Sequence, residues 1–140
     1  MLNRNKGFTL IELLIVMAIL GMLAAFIGPN IIDRFGESKR VAASTQMSSI
    51  EVALDTYRLD MSKYPSSLDA LEKNSSNSPK WQGPYLSKGG KIPKDPWGNE
   101  YQYKKPGREG RNYDLYAFGA DGREGGEKDD ADVKSWNPDK

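Results

Sequence analysis

The sequence predicts an α+β fold: a long N-terminal α-helix, half membrane-spanning and half amphipathic, packed on a small antiparallel β-sheet head. Three observations carry this. An apolar run near the N-terminus passes into a segment whose apolar residues recur at helical spacing. Residues 101–103 and 113–118 alternate as strands do. Residues 118–132, FGADGREGGEKDDAD, crowd acids into a Gly-rich stretch that reads as an irregular C-terminal loop.

Composition narrows the function classes. The chain has 140 residues and a net charge of +1, which suits one compact domain plus an appendage. No basic stripe surrounds its Trp and Tyr residues, so nothing points to nucleic acid. There is no Cys and no His. Disulfides, thiol nucleophiles, His-based triads, imidazole bases and ordinary zinc sites are therefore excluded, whereas enzymes built only on carboxylates survive. In an exported domain, something other than a disulfide must hold the irregular parts.

The first element is the membrane segment. Residues 13–32 suffice to span a bilayer, since about 20 helical residues cross about 30 Å. Arg4 and Lys6 precede the run with no acid between them, which places the N-terminus in the cytoplasm and the bulk of the chain outside. Ala24-Ala25 is a weak match to a signal-peptidase site, but Phe26, Ile27, Ile31 and Ile32 prolong the run and favour retention. Pro29 cannot donate to the Ala25 carbonyl, so the helix is expected to kink or loosen there. Glu12 sits near the start of the run, and an ionisable residue in that setting needs a partner. No Lys or Arg lies within the apolar stretch. Cleavage between Gly7 and Phe8 would create an α-amino group one helical turn from Glu12. The carboxylate would then pair with its own terminus or with that of a neighbouring copy.

The second element is the amphipathic helix. Ala43, Met47, Ile50, Leu54, Tyr57 and Met61 recur with spacings of three and four, while Arg40, Ser44, Glu51, Asp55 and Arg58 take other faces. The helix should stop before Pro65. Joined to the membrane segment, it runs from about Thr9 to Met61, roughly 80 Å at 1.5 Å per residue, and Gly36 is expected to soften the junction. In the head, residues 66–71 read as a short helix with Ser66 as N-cap and Asp69 at the third position. The turn Asp95-Pro96-Trp97-Gly98-Asn99 offers Trp97 as a core plug. Two antiparallel strands, at 101–103 and 113–118, flank a turn at 107–110. Two strands alone are marginal, so the sheet must lean on the long helix.

The third element is the acidic loop. Asp121, Glu124, Glu127, Asp129, Asp130 and Asp132 read either as a solvated acidic stretch or as a calcium site. Calcium takes six to eight oxygens, mixing carboxylates with carbonyls, and Gly lets the backbone bend around it. The spacing does not fit an EF-hand.

The stretch Lys6-Gly7-Phe8-Thr9-Leu10-Ile11-Glu12-Leu13 resembles the class III leader junction of type IV pilins and pseudopilins. Pro29-Asn30, Tyr64-Pro65, Gly83-Pro84-Tyr85-Leu86, Asp95-Pro96-Trp97-Gly98 and Gly119-Ala120-Asp121-Gly122 extend the likeness to the major pseudopilins of type II secretion. Pilus-forming pilins usually carry a C-terminal disulfide, for which this chain lacks the Cys. The resemblance implies cleavage at Gly7–Phe8 by a prepilin peptidase that also N-methylates Phe8, with Glu12 as the assembly glutamate. It implies a leader at 1–7, a transmembrane and assembly helix at 8–32, an amphipathic helix at 33–63 and a periplasmic globular head at 64–140.

It further implies a homo-polymer, a short helical filament raised in a Gram-negative envelope by a cytoplasmic ATPase, an inner-membrane assembly platform and minor pseudopilins. Such a filament pushes folded exoproteins across the outer membrane. The C-terminal loop would be stapled by one calcium, held by Asp121, Asp132 and the carbonyls of Phe118 and Arg123, with Asp130 a further candidate. The ion would take the place of the missing disulfide. A type IV or competence pilin is the nearest alternative, and a membrane-anchored carboxylate glycosidase a remote one.

Overall fold

The computed structural model describes residues 7–87 and 89–136, without the side chains of residues 29, 30 and 32. Arg4, Lys6 and the rest of the leader before Gly7 lie outside the described residues. Helix α1 spans Leu10–Met61. A 3-10 turn follows at Leu68–Leu71, then strands β1 (Gln102–Lys104), β2 (Asp114–Ala117) and β3 (Val133–Lys134), with 3-10 turns at Arg108–Gly110 and Lys128–Asp130. The chain divides into two compact units between Phe35 and Gly36.

In the first unit the apolar side chains of α1 stay exposed all round: Leu13, Leu14, Ile15, Val16, Ile19, Leu23 and Ile27 among them. By length and composition this stretch can cross a membrane, and none of its most apolar window is buried. The loosening expected at Pro29 does not end the helix. A missing N–H removes one rung of the hydrogen-bond ladder, and the turns on either side keep theirs.

In the second unit the predicted stripe is the core. Ala43, Met47, Ile50, Leu54 and Tyr57 are buried to 4% exposure or less, and Met61 packs against them. Each large apolar side chain so buried contributes roughly 1.5–3 kcal/mol. Ala53 joins them from the neighbouring row of the helix. Ser62, in the left-handed region at φ 60°, ends the helix before Pro65.

The sheet faces this stripe with β2 at its centre, in the order β1-β2-β3. Both pairings are antiparallel: Tyr103 lies opposite Leu115, and Ala117 opposite Val133. Every residue of β2 is buried. The sequence predicts two strands; β3 is a third, only two residues long. The helix expected at 66–71 is instead the 3-10 turn at Leu68–Leu71, preceded by Ser67, and no side chain caps it. With Ser67 extended, the turn is too short to reward a capping box; its Leu68, Ala70 and Leu71 are held by burial in the core. Trp97 is half-buried and packs on the edge of the core rather than plugging it.

The irregular connectors are tied down by aromatic tips. Trp81 Nε1 donates to the Ala70 carbonyl at 2.9 Å, and Tyr85 Oη to Asp60 at 2.9 Å. Tyr103 Oη donates to the Pro65 carbonyl at 2.9 Å, and Tyr64 Oη to Asp55 at 2.8 Å. Tyr101 Oη donates to Gln46. Each ring buries apolar area while its polar end fixes a distant segment to α1 or to the residues just after it. This is one answer to the absent disulfide.

Candidate functional site

Two places gather the residues singled out by the sequence. The first is the start of α1. Thr9 precedes Leu10 as the N-cap, and Glu12 is the third helical residue. The Glu12 carboxylate accepts from the Thr9 N–H at 2.8 Å and from Thr9 Oγ1 at 2.9 Å. In return the Glu12 N–H donates to Thr9 Oγ1 at 3.3 Å. This is a reciprocal capping box. The Thr9-x-x-Glu12 spacing announces it in the sequence, a signal separate from the charge of Glu12. The box turns the carboxylate back toward Phe8 and leaves it two donors, which lowers the cost of carrying it in an apolar helix. Gly7 has open space around its Cα, and Phe8 is exposed, so the peptide between them is accessible.

The second place is the acidic loop. Asp121 accepts from the Arg123 N–H at 3.0 Å, and Asp132 Oδ2 accepts from the Gly125 N–H at 3.1 Å. Asp121 thus braces its own turn, and Asp132 reaches back across the loop. Phe118 is half-buried with its ring edge-on to Tyr116, while Asp130 and Arg123 are exposed. The two limbs of the loop touch at Gly119, where a Cβ would overlap the backbone of Asp129 and Asp130. The Ala120 N–H donates to the Asp129 carbonyl at 2.8 Å there. Among the described residues no three carboxylates converge as a metal cluster, so any ion would rest largely on carbonyls. Asp132 Oδ1 fits such a role, being buried with no hydrogen-bond donor reaching it. A small cavity of about 30 Å³ is lined by Asp132, Asp114, Glu124, Arg108 and Lys134, among others. For calcium, one or two carboxylates plus backbone carbonyls form a chemically sound donor set.

A polar node that the sequence reading missed supports the loop from below. Asp114, on β2, is almost wholly buried and accepts from Arg111 Nε at 2.7 Å and the Arg108 N–H at 3.1 Å. Burial opposes ionisation of Asp114, but these two hydrogen bonds and the charges of both arginines outweigh it and hold the carboxyl below the usual range. Arg111 also lies over the Trp136 ring, 4.4 Å from its centre, and Arg108 reaches Glu124 in the loop at 3.2 Å.

Comparison with known proteins places these features. Residues 2–28 match the prokaryotic N-terminal methylation motif, which defines the class as proteins carrying that motif ahead of a membrane-length helix. Residues 30–136 match the type II secretion system protein G family, and the chain belongs to that family. It is 44% identical to the type II secretion system core protein G of Pseudomonas aeruginosa, over 96% of this chain and 97% of that one. It is 41% identical to the protein of the same name from Vibrio cholerae, over 97% and 94%. Among solved structures it is similar to the major pseudopilin of the type 2 secretion system of enterohaemorrhagic Escherichia coli. That match has a TM-score of 0.62 and 28% identity, and covers 77% of this chain and 95% of that one.

Proposed function

We propose that this chain is the major structural subunit of a type II secretion pseudopilus. The observation that carries the proposal is the capped N-terminus: Glu12 held at the first turn of a membrane-length helix, one turn from the Gly7–Phe8 bond, in a chain of this family. In this reading a prepilin peptidase and methyltransferase cuts after Gly7 and methylates Phe8. The subunit then waits in the inner membrane as a single-pass protein with its head in the periplasm. With help from an assembly platform and minor pseudopilins, subunits leave the bilayer and stack head to tail. A heterologous contact that does not close produces an open helical filament. The apolar first half of α1 exchanges lipid for neighbouring helices, and Glu12 exchanges its Thr9 donors for a neighbour's Phe8 amine. Register follows, because a mispaired charge in a dry core costs several kcal/mol. The work is mechanical, done by surfaces rather than by a reaction centre.

The loop is proposed to take one calcium, with Asp132, Asp121 and the carbonyls of Phe118 and Arg123 as donors and Asp130 as a further candidate. The buried Asp132 Oδ1 supports this. Bound calcium would offset carboxylate repulsion in a loop poor in apolar residues.

The test is the mass of the mature N-terminus together with secretion in cells lacking this gene. A methylated Phe8 terminus and loss of exoprotein release, restored by the wild-type gene, are expected. Retention of residues 1–7 in secreting cells contradicts the proposal.

A further inference from the structure

The acidic loop is not held by its own turns alone. Arg40, on α1, donates through Nη1 to the Ala131 carbonyl at 2.6 Å and, more weakly, to the Lys128 carbonyl at 3.4 Å. One helical turn earlier, Gly36 is buried, and a Cβ there would overlap the Asp129 carboxylate. The loop segment 128–131 therefore lies directly on the first turn of the second unit's helix. Gly36 provides the space and Arg40 the grip. This also explains Gly36, where the sequence predicts a softening of the helix: α1 is continuous there, and the missing side chain admits the loop.

The consequence for the loop follows from connectivity. The Ala131 carbonyl belongs to the peptide that leads into Asp132, so fixing its direction fixes the plane from which the Asp132 side chain departs. Within the loop, Asp132 has one oxygen buried and without a donor. Arg40 binds carbonyls and leaves the loop's carboxylates to other partners. We infer that Arg40, with Gly36 beneath it, is a positioning residue for the metal loop, so that calcium affinity and order in the helix turn at 36–40 depend on each other. This rests on the calcium reading above. Coupling free energies are reciprocal: whatever factor the docked helix adds to calcium affinity, calcium must return as protection of the dock.

Two forces compete, which makes the inference testable. A nearby guanidinium repels a divalent cation, whereas a pre-set backbone lowers the ordering cost of binding. Positioning is assigned the larger effect. The experiment is calcium titration calorimetry on the full chain in detergent micelles, with hydrogen exchange of residues 36–47 and 118–132 in calcium and in chelator. Arg40→Gln should weaken calcium about tenfold, within the range usual for such couplings. Arg40→Lys should recover part of that loss, because an ammonium can still donate to the Ala131 carbonyl. Gly36→Ala, which leaves the guanidinium in place, should also weaken binding. In the wild type, calcium should slow exchange in both segments together.

Unchanged or tighter calcium binding in Arg40→Gln overturns the inference. If the wild type itself takes no calcium, the metal reading falls and the coupling with it. In that case Arg40→Gln would still speed exchange at the Ala120 amide in chelator, showing that the dock exists without the ion.

Discussion

The two halves of α1 carry apolar residues in different patterns and find different solutions. Between Leu10 and Ile27 they lie all round the helix, and Leu14, Ile19 and Ile27 remain 60%, 54% and 52% exposed. Beyond Gly36 most form a stripe, in which Met47, Ile50 and Leu54 are fully buried by the chain's own head, while Val41, Val52 and Leu59 stay exposed off it. A stripe can be covered by one small sheet; an all-round apolar surface needs lipid or other copies. The first half is thus written for assembly and the second for folding, although the backbone passes from one to the other without a break.

Core truncation should break that contrast most sharply if it is mistaken. Leu54→Ala should cost about 2–5 kcal/mol of head stability, whereas Leu14→Ala should leave head unfolding within about 0.5 kcal/mol of wild type. Thermal melts of the full chain in micelles, followed by tryptophan fluorescence, compare the two; similar losses would end the separation.

Next is buried Asp114 with its partly exposed partner Arg111, where Asp114→Asn leaves a buried site short of its charge-assisted hydrogen bonds and should cost about 3 kcal/mol near neutral pH. Because folding depresses the Asp114 pKa, this contribution is present above the ordinary carboxylate value of about 3.9 and is lost as pH falls through the folded value. Denaturant curves of wild type and variant should therefore converge on acidification below about pH 4.

Calcium at 100 times its dissociation constant should add about 2.7 kcal/mol to the head, and Asp121→Ala or Asp132→Asn should abolish that rise in melting temperature. A smaller loss is expected within the head for Tyr64→Phe, about 1 kcal/mol. It removes the hydroxyl that donates to Asp55 and accepts from Arg58.

The stripe on α1 was legible because helical side chains advertise their face by spacing, and β1 and β2 because they alternate. Ala53 escaped notice because a small residue in the adjacent row looks like filler. Val133–Lys134 is too short to show any period; its pairing with β2 comes from the core-facing Val133 and the open edge beside Ala117. The aromatic tips and the Arg40 grip were illegible for a different reason. Their acceptors are mostly backbone carbonyls, which every residue owns, and Arg40 reaches its own across 88 and 91 positions of sequence. In the site, Glu12 stood out as a charge out of place. Its Thr9 partner was readable from spacing alone: the structure shows this carboxylate capping its own helix, and the proposed function gives the same carboxylate the pairing with a neighbour's amine.

That convergence permits a direct test of the central claim, that the charge of Glu12 drives assembly. Glu12→Gln keeps an acceptor for the Thr9 cap but removes the charge that would meet a neighbour's amine. Filament yield should be measured alongside the mass of the N-terminus in cells expressing this variant. The account predicts a cleaved, methylated Phe8 with filaments lost or reduced to traces. Filaments at wild-type yield from the Gln variant would contradict it.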